Sequence, residues 1–258
     1  MAITALEYLV FSSLRARNML PPRPRVLELG ESNWYGDVSL EQLEVDIRRF
    51  VTDEARREAL LAKFQTCISA GVRDRVYEIA SIFWTVFADP LSYSAIDPGM
   101  PHSKYRFDLN QPVPLDEKFD VTVNIGTAEH VFNVYQFFKT AHERTVENGH
   151  MIHTSPFTGW PDHGFYCFQP TFFYDLARAN GYHVVGMTLA QLEPFKFVQV
   201  ARHDQVPELI RSGQIPSSSY INVVYQKAAE PREFAAPMQA YYAGVLSPEH
   251  KRAWAQLR

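Results

Sequence analysis

The chain has 258 residues, enough to bury a full-sized core in one large α/β domain or two small ones. Its apolar fraction of 46% and charged fraction of 21% are those of an ordinary globular protein. A net charge of −4, with no run of Lys or Arg longer than a pair, argues against a nucleic-acid partner, because phosphate binding needs a basic face. Residues 1–20 read as an amphipathic N-terminal helix. They lack a basic start, a long apolar stretch and a small-residue cleavage site, so no signal peptide is expected. No apolar run approaches membrane-spanning length, and no membrane partner is expected. Cys67 and Cys167 lie far apart with no CxxC spacing, which reads as two buried thiols in a reducing cytoplasm.

Pro21, Pro22 and Pro24 end the first helix, and Val26, Leu27 and Leu29 then form a near-continuous apolar strand buried on both faces. From Ser39 to Phe87 the pattern is helical and charged, with two or three helices expected. Strand-like runs follow at 93–98 (YSAIDP), 105–110 (YRFDLN) and 119–126 (FDVTVNIG). Residues 129–149 read as one long helix, with Val131, Val134, Phe138 and Ala141 at helical spacing and Asn148-Gly149 as the stop. A strand is expected at 150–157, and a helix from Pro170 to a stop at Gly181. Further strands are expected at 183–189 and 219–228, and a C-terminal helix over 233–257. Strands alternating with helices imply a doubly wound, mostly parallel, Rossmann-like α/β sheet in a single domain spanning 1–258.

In such sheets ligands sit beyond the carboxyl ends of the strands. The residues there are Glu28 to Asn33, Asp97, Asp108 with Asn110, Asn124 to His130, and Ser155 to His163. Asp97 suits the two hydroxyls of a ribose, or else a helix N-cap ahead of Pro98. Asp108 suits an adenine amine, whereas Asn110 before Gln111-Pro112 suits a turn. Glu28, inside an apolar strand, needs a hydrogen-bond donor from backbone or cofactor.

The order VLELG, YSAID, FDLN, FDVTVNIGTAEHV resembles the four leading motifs of class I S-adenosylmethionine-dependent methyltransferases. ENGHMIHTSPF and HGFYCFQPTFFYDLARANGYHV are similar to the family's later strand and substrate-covering segment. The look is closest to small-molecule and sugar methyltransferases of bacterial biosynthetic clusters. The resemblance runs from about Arg25 to about Lys227. It implies S-adenosylmethionine as cofactor, with contacts at Glu28, Gly30, Asp97, Asp108, Leu109, Asn124 and Gly126. Two departures stand out. The family's glycine-rich loop keeps only Glu28 and Gly30, with Ser32 and Trp34 in place of later glycines. The gap from Gly30 to Asp97 is also too long for one crossover helix, so 36–90 reads as a helical insertion: a lid, a homodimer surface, or a decoration with no role at the site.

A dinucleotide needs close backbone approach to its pyrophosphate, whereas S-adenosylmethionine has no phosphate. One glycine then suffices for the turn, with Ser32 and Asn33 free to meet the cofactor's amino-acid end. A degenerate loop that binds nothing is the competing reading. Among the histidines, His163 in the loop WPDHGFY suits a general base for a hydroxyl acceptor, oriented by Asp162. His130 is expected as a site wall or an adenine-side contact, and as the second candidate for the base, and His153 as an inward-pointing residue. No HxxxH or CxxC spacing suggests a metal. Glu129, Trp160, Phe165 and Tyr166 are expected to meet the small-molecule substrate. The leading expectation is O-methylation of a hydroxyl. Its rivals are a non-catalytic binding protein and an enzyme that uses the sulfonium only as a fixed charge.

Overall fold

The computed structural model describes residues 2–256, so Leu257 of the expected C-terminal helix lies outside the described residues. In chain order the elements are β1 (Ala2–Ile3), α1 (Ala5–Ala16), β2 (Arg25–Leu29), β3 (Asn33–Trp34), α2 (Leu40–Phe50), α3 (Glu54–Ala70), α4 (Val76–Phe87), β4 (Ser92–Ile96) and β5 (Phe119–Ile125). They continue with α5 (Val134–Arg144), β6 (Thr145–Thr158), α6 (Pro170–Asn180), β7 (His183–Gln191), β8 (Lys196–Gln199), α7 (Val206–Arg211), β9 (Ser219–Gln226) and α8 (Pro248–Ala255). One seven-stranded sheet runs in the order β4-β2-β5-β6-β9-β7-β8. β4, β2, β5 and β6 are parallel, while β9 runs antiparallel between β6 and β7 and β8 turns back along β7. The expected doubly wound, mostly parallel sheet is therefore present, with helices on both faces.

The expected insertion consists of three helices, two of which have clear starts. Ser39 caps α2 and Asp53 caps α3, each through a side-chain oxygen that accepts a backbone amide. Ile79, Ile82, Phe83, Val86 and Phe87 of α4 are all buried. Their partner is α1: Phe11, fully buried, meets the rings of Phe83 and Trp84 edge-on at 5.6 and 4.9 Å. These helices share a hydrophobic cluster with Val26, Val121, Val123 and Ile152 of the sheet.

Three sequence expectations are corrected. The strand over 105–110 is a single bridge between Tyr105 and Ile96, because Asp108 Oδ1 accepts both the backbone and the side-chain amide of Asn110 and makes a turn. The long helix over 129–149 is a short 3-10 turn, Ala128–His130, followed by α5, and the chain is already strand from Thr145. Thr145 Oγ1 donates to Ala141 O at 2.6 Å, and buried Lys227 donates to the carbonyls of His142 and Thr145. The helix end is thus closed by the local Thr145 hydroxyl and by Lys227 from a remote strand rather than by Asn148-Gly149. The helix over 233–257 shrinks to α8. Asn180 brackets Ala235 through both its amide and its carbonyl group, and Asp175 accepts Ala240 N, so side chains of α6 take the backbone groups a helix would use.

Phe11→Ala opens a void between α1 and α4, and a loss of about 3–5 kcal/mol is expected. Urea denaturation followed by far-ultraviolet circular dichroism and by tryptophan fluorescence measures it. Coincident transitions are expected, because the inserted helices share the sheet's core.

Candidate functional site

The loop after β2 turns at Gly30, whose φ of +96° is open to glycine. Glu28 is fully buried and accepts Ser32 N at 3.2 Å and Ser32 Oγ at 2.5 Å, and the Tyr93 hydroxyl also donates to it. Burial pushes its carboxyl up to about 7, against the downward pull of the Ser32 and Tyr93 hydrogen bonds. Asp97 accepts Glu31 N at 3.2 Å on one oxygen, and Gly99 N and Met100 N at 2.8 and 3.1 Å on the other. Glu31 is buried too; one of its oxygens accepts the Ser103 hydroxyl and the other has no partner. Three carboxylates thus gather between the ends of β2 and β4. Glu31 was missed in the sequence because only the fold sets it beside Glu28 and Asp97.

Asn33 and Trp34 do not hang free over this edge. They form β3, paired in parallel with Ala2 and Ile3, and Trp34 is buried edge-on to Tyr8. Trp34 is therefore a core residue that fastens the chain's beginning onto the loop. Asp108 is exposed in its turn, and Leu109 is buried in the second hydrophobic cluster.

A cavity of about 330 Å³ lies over the carboxyl ends of β5 and β6. Its wall includes Thr4 and Glu7, Tyr35, Gly126 with Glu129 and His130, Thr154, Trp160 with His163, and Tyr220. Of the expected cofactor residues, only Gly126 lines it. Asn124 builds the turn at its floor. Its Oδ1 accepts the amides of Thr127 and Ala128 at 3.0 and 3.1 Å, and its Nδ2 donates to Thr154 O. That turn aims Glu129 inward.

Glu129 is 0% exposed, and neither carboxylate oxygen has a donor in hydrogen-bonding geometry. Burial pushes its carboxyl up to about 7, and the nearby backbone and Ser155 hydroxyl offset this only in part. His163 Nε2 stands 3.8 Å from Glu129 Oε1. Their approach depends on Gly164, where a Cβ would meet Glu129 O at 2.9 Å and His130 Nδ1 at 3.1 Å. Phe165 N closes the contact by donating to Glu129 O at 2.7 Å. The carboxylate placed against His163 is therefore Glu129, while Asp162 is exposed with a left-handed φ of +59°. The His130 ring lies 5.1 Å from that of His163, and burial followed by the neighbouring imidazole lowers its pKa.

Glu129, His130 and His163 hold donor atoms within 4.8 Å of one another, a donor set of the kind that takes a divalent cation. His153 packs among Phe138, Phe173 and Tyr225, where burial drops its pKa to about 3. Trp160 lines the cavity, anchored through its indole N–H to Ser219 O and tilted on Tyr220 at 4.4 Å. Phe165 packs instead on Phe132 at the surface, and Tyr166 donates to Phe132 O.

Glu7 was not expected here. It completes a capping box with Thr4, accepting Thr4 N and Thr4 Oγ1 on Oε2, while its buried Oε1 has no partner. The T-x-x-E spacing announces a helix start, but not that the start walls a cavity. Of the two cysteines, both free, Cys67 is buried as expected and Cys167 is exposed, since its segment lies on the surface.

No protein-family model matches the chain, and no curated protein matches its sequence. Several solved structures are similar in fold. One is an S-adenosylmethionine-dependent methyltransferase from Mesorhizobium loti, at 12% identity and TM-score 0.44, covering 86% of this chain and 98% of that one. Another is the Burkholderia thailandensis 1,6-didemethyltoxoflavin-N1-methyltransferase, at 12% identity and TM-score 0.37, covering 87% and 79%. A third is TehB from Haemophilus influenzae, at 10% identity and TM-score 0.45; it covers 84% of this chain, which spans 61% of TehB's length. No helix among the described residues is long and apolar enough to cross a membrane.

Glu129 keeps its proton up to about pH 7 when folded but ionises near 4.5 when unfolded. Unfolding therefore releases a proton between those values, and stability falls as pH rises through that window. Glu129→Gln removes the ionisable group, so a gain of about 3 kcal/mol is expected at pH 8 and almost none at pH 4.5. Urea midpoints of the two proteins across pH check this.

Proposed function

We propose that the protein is an S-adenosylmethionine-dependent methyltransferase acting on a small molecule, at a hydroxyl, in the cytoplasm. The observation that carries this reading is the pairing of buried Glu129 with His163 at the cavity over β5 and β6. It stands where the motif order in the sequence leads one to look for an acceptor. The cofactor's charge supports the same reading. Glu28, Glu31 and Asp97 form an acidic edge with an unsatisfied buried oxygen, which suits an ammonium or sulfonium and opposes a pyrophosphate. Asp97, Glu31, the Gly30 turn and Gly126 are the groups that would hold it.

When bound, S-adenosylmethionine supplies a methyl group on a cationic sulfur, open to in-line attack. The chain's part is to place and deprotonate the acceptor. His163 Nε2 faces Glu129, which leaves Nδ1 to take the hydroxyl proton. The resulting imidazolium then lies against the Glu129 carboxylate, which balances its charge without taking the proton. Trp160, Tyr220 and Tyr35 wall the cavity and limit water at the attacking oxygen.

A second reading has its own observation, the Glu129–His130–His163 donor set. A divalent cation there would acidify the hydroxyl in place of the imidazole. Turnover lost to a chelator and restored by zinc assigns the three residues to a metal; turnover indifferent to chelation assigns His163 to the base.

Calorimetry with S-adenosylmethionine and S-adenosylhomocysteine is the direct test of the proposal, and no heat at millimolar concentration would overturn it. With a turned-over acceptor, His163→Ala is expected to lower turnover about 10²–10⁴-fold. Affinity for S-adenosylhomocysteine should stay within about twofold, because His163 lies away from the acidic edge. Asp97→Ala should do the reverse and weaken cofactor binding first.

A further inference from the structure

The cavity is lined by carboxyl groups and histidines. Two carboxylates line it, Glu129 at 0% and Glu7 at 1% exposure, and among the described residues no Lys or Arg does. Both of Glu129's oxygens and Oε1 of Glu7 lack a donor in hydrogen-bonding geometry, and burial raises both carboxyl pKa values, with the Ser155 and Thr154 hydroxyls nearby offsetting this in part. An unpaired buried carboxylate is costly, so each calls for a proton, a donor or a cation. Glu129 has His163 within reach. Among the described residues no ion pair reaches Glu7: it shares the cavity wall with Thr4 and Thr154, and the rings of Tyr35, Trp160 and Tyr220 line the same cavity. A carboxylate and several aromatic rings lining one cavity suit an organic cation.

Position separates this cation from the cofactor's. The acidic edge of Glu28, Glu31 and Asp97 lies at β2 and β4, whereas Glu7 lies over Thr154, which pairs with Asn222 across β6 and β9. The volume of about 330 Å³ sits at the small end of ligand cavities and admits a compact amine. We propose that the acceptor is a small molecule carrying a protonated amine, and that Glu7 is the counter-charge that binds it. The proposal rests on the reading of this cavity as the acceptor site. It adds that the substrate class is that of amino alcohols, amino sugars or hydroxylated arylalkyl amines, held at the nitrogen by Glu7 and offered at a hydroxyl to His163.

The test compares tyramine with its neutral isostere 4-propylphenol, titrated at pH 8 into the protein saturated with S-adenosylhomocysteine. Tyramine is expected to bind at least tenfold more tightly. Glu7→Gln should bring the two within about threefold while leaving 4-propylphenol unchanged. Gln at this position still closes the capping box, so the fold is retained. Equal binding of the pair by the wild-type protein, no binding of either, or a preference that survives Glu7→Gln each overturns the proposal. Displacement of tyramine by S-adenosylhomocysteine overturns it as well, since the cation site would then be the cofactor's. If tyramine binds with the expected preference while S-adenosylmethionine fails to bind at all, the amine site stands and the methyl-transfer reading falls.

Discussion

The side chain of Asn124 holds the centre of this molecule together. At the end of β5 it accepts two consecutive amides and donates to Thr154 O of the neighbouring strand, so the backbone there has one course open to it. Thr127 Oγ1 reaches back to Leu29 O at 2.5 Å and ties the same turn to β2. Glu129 then points inward, Gly164 can approach its carbonyl, and His163 arrives beside its carboxylate. A buried amide whose donors and acceptors are all engaged is a rigid bracket. The cavity owes its shape to it.

The beginning of the chain does more than lead into the fold. β1 pairs with β3, α1 packs on α4, and Glu7 enters the cavity from the helix start. The loop that in the resembling family carries several glycines is here braced by this pairing. Ser32 serves Glu28, Trp34 serves the core, and the side chains that replaced glycine hold the loop in place. The inserted helices complete the arrangement, since α4 supplies Tyr77 and Trp84 beside Ser32 and Tyr93.

The acidic edge and the cavity divide the ligand-binding face between them. Glu28, Glu31 and Asp97 gather carboxyl groups at β2 and β4, and Glu7 and Glu129 do so over β5 and β6, where burial raises the pKa of all but Asp97. Both regions keep buried carboxylate oxygens without donors, at Glu31, Glu7 and Glu129. Such groups raise the carboxyl pKa and lower stability toward high pH.

Much of this was legible in the chain itself. Apolar runs such as VLELG and the period of PTFFYDLARANGY are local signals, and they produced β2, β5, α6, β7 and β9 where expected. Placing Glu28, Asp97, Glu129 and His163 at strand ends followed from the same alternation. The mistaken elements share one cause. Lys227, Asn180 and Asp175 satisfy backbone groups from a distance, and that decided where α5 stops and why 233–247 is not helix. Local periodicity carries no trace of a donor eighty residues away. The sequence alone determined the layered α/β architecture and the residue types at its ligand-binding edge. Only the tertiary structure decided which carboxylate meets His163, why Trp34 is buried, and that Glu7 lines a cavity, because each is set by the close approach of segments remote in the chain.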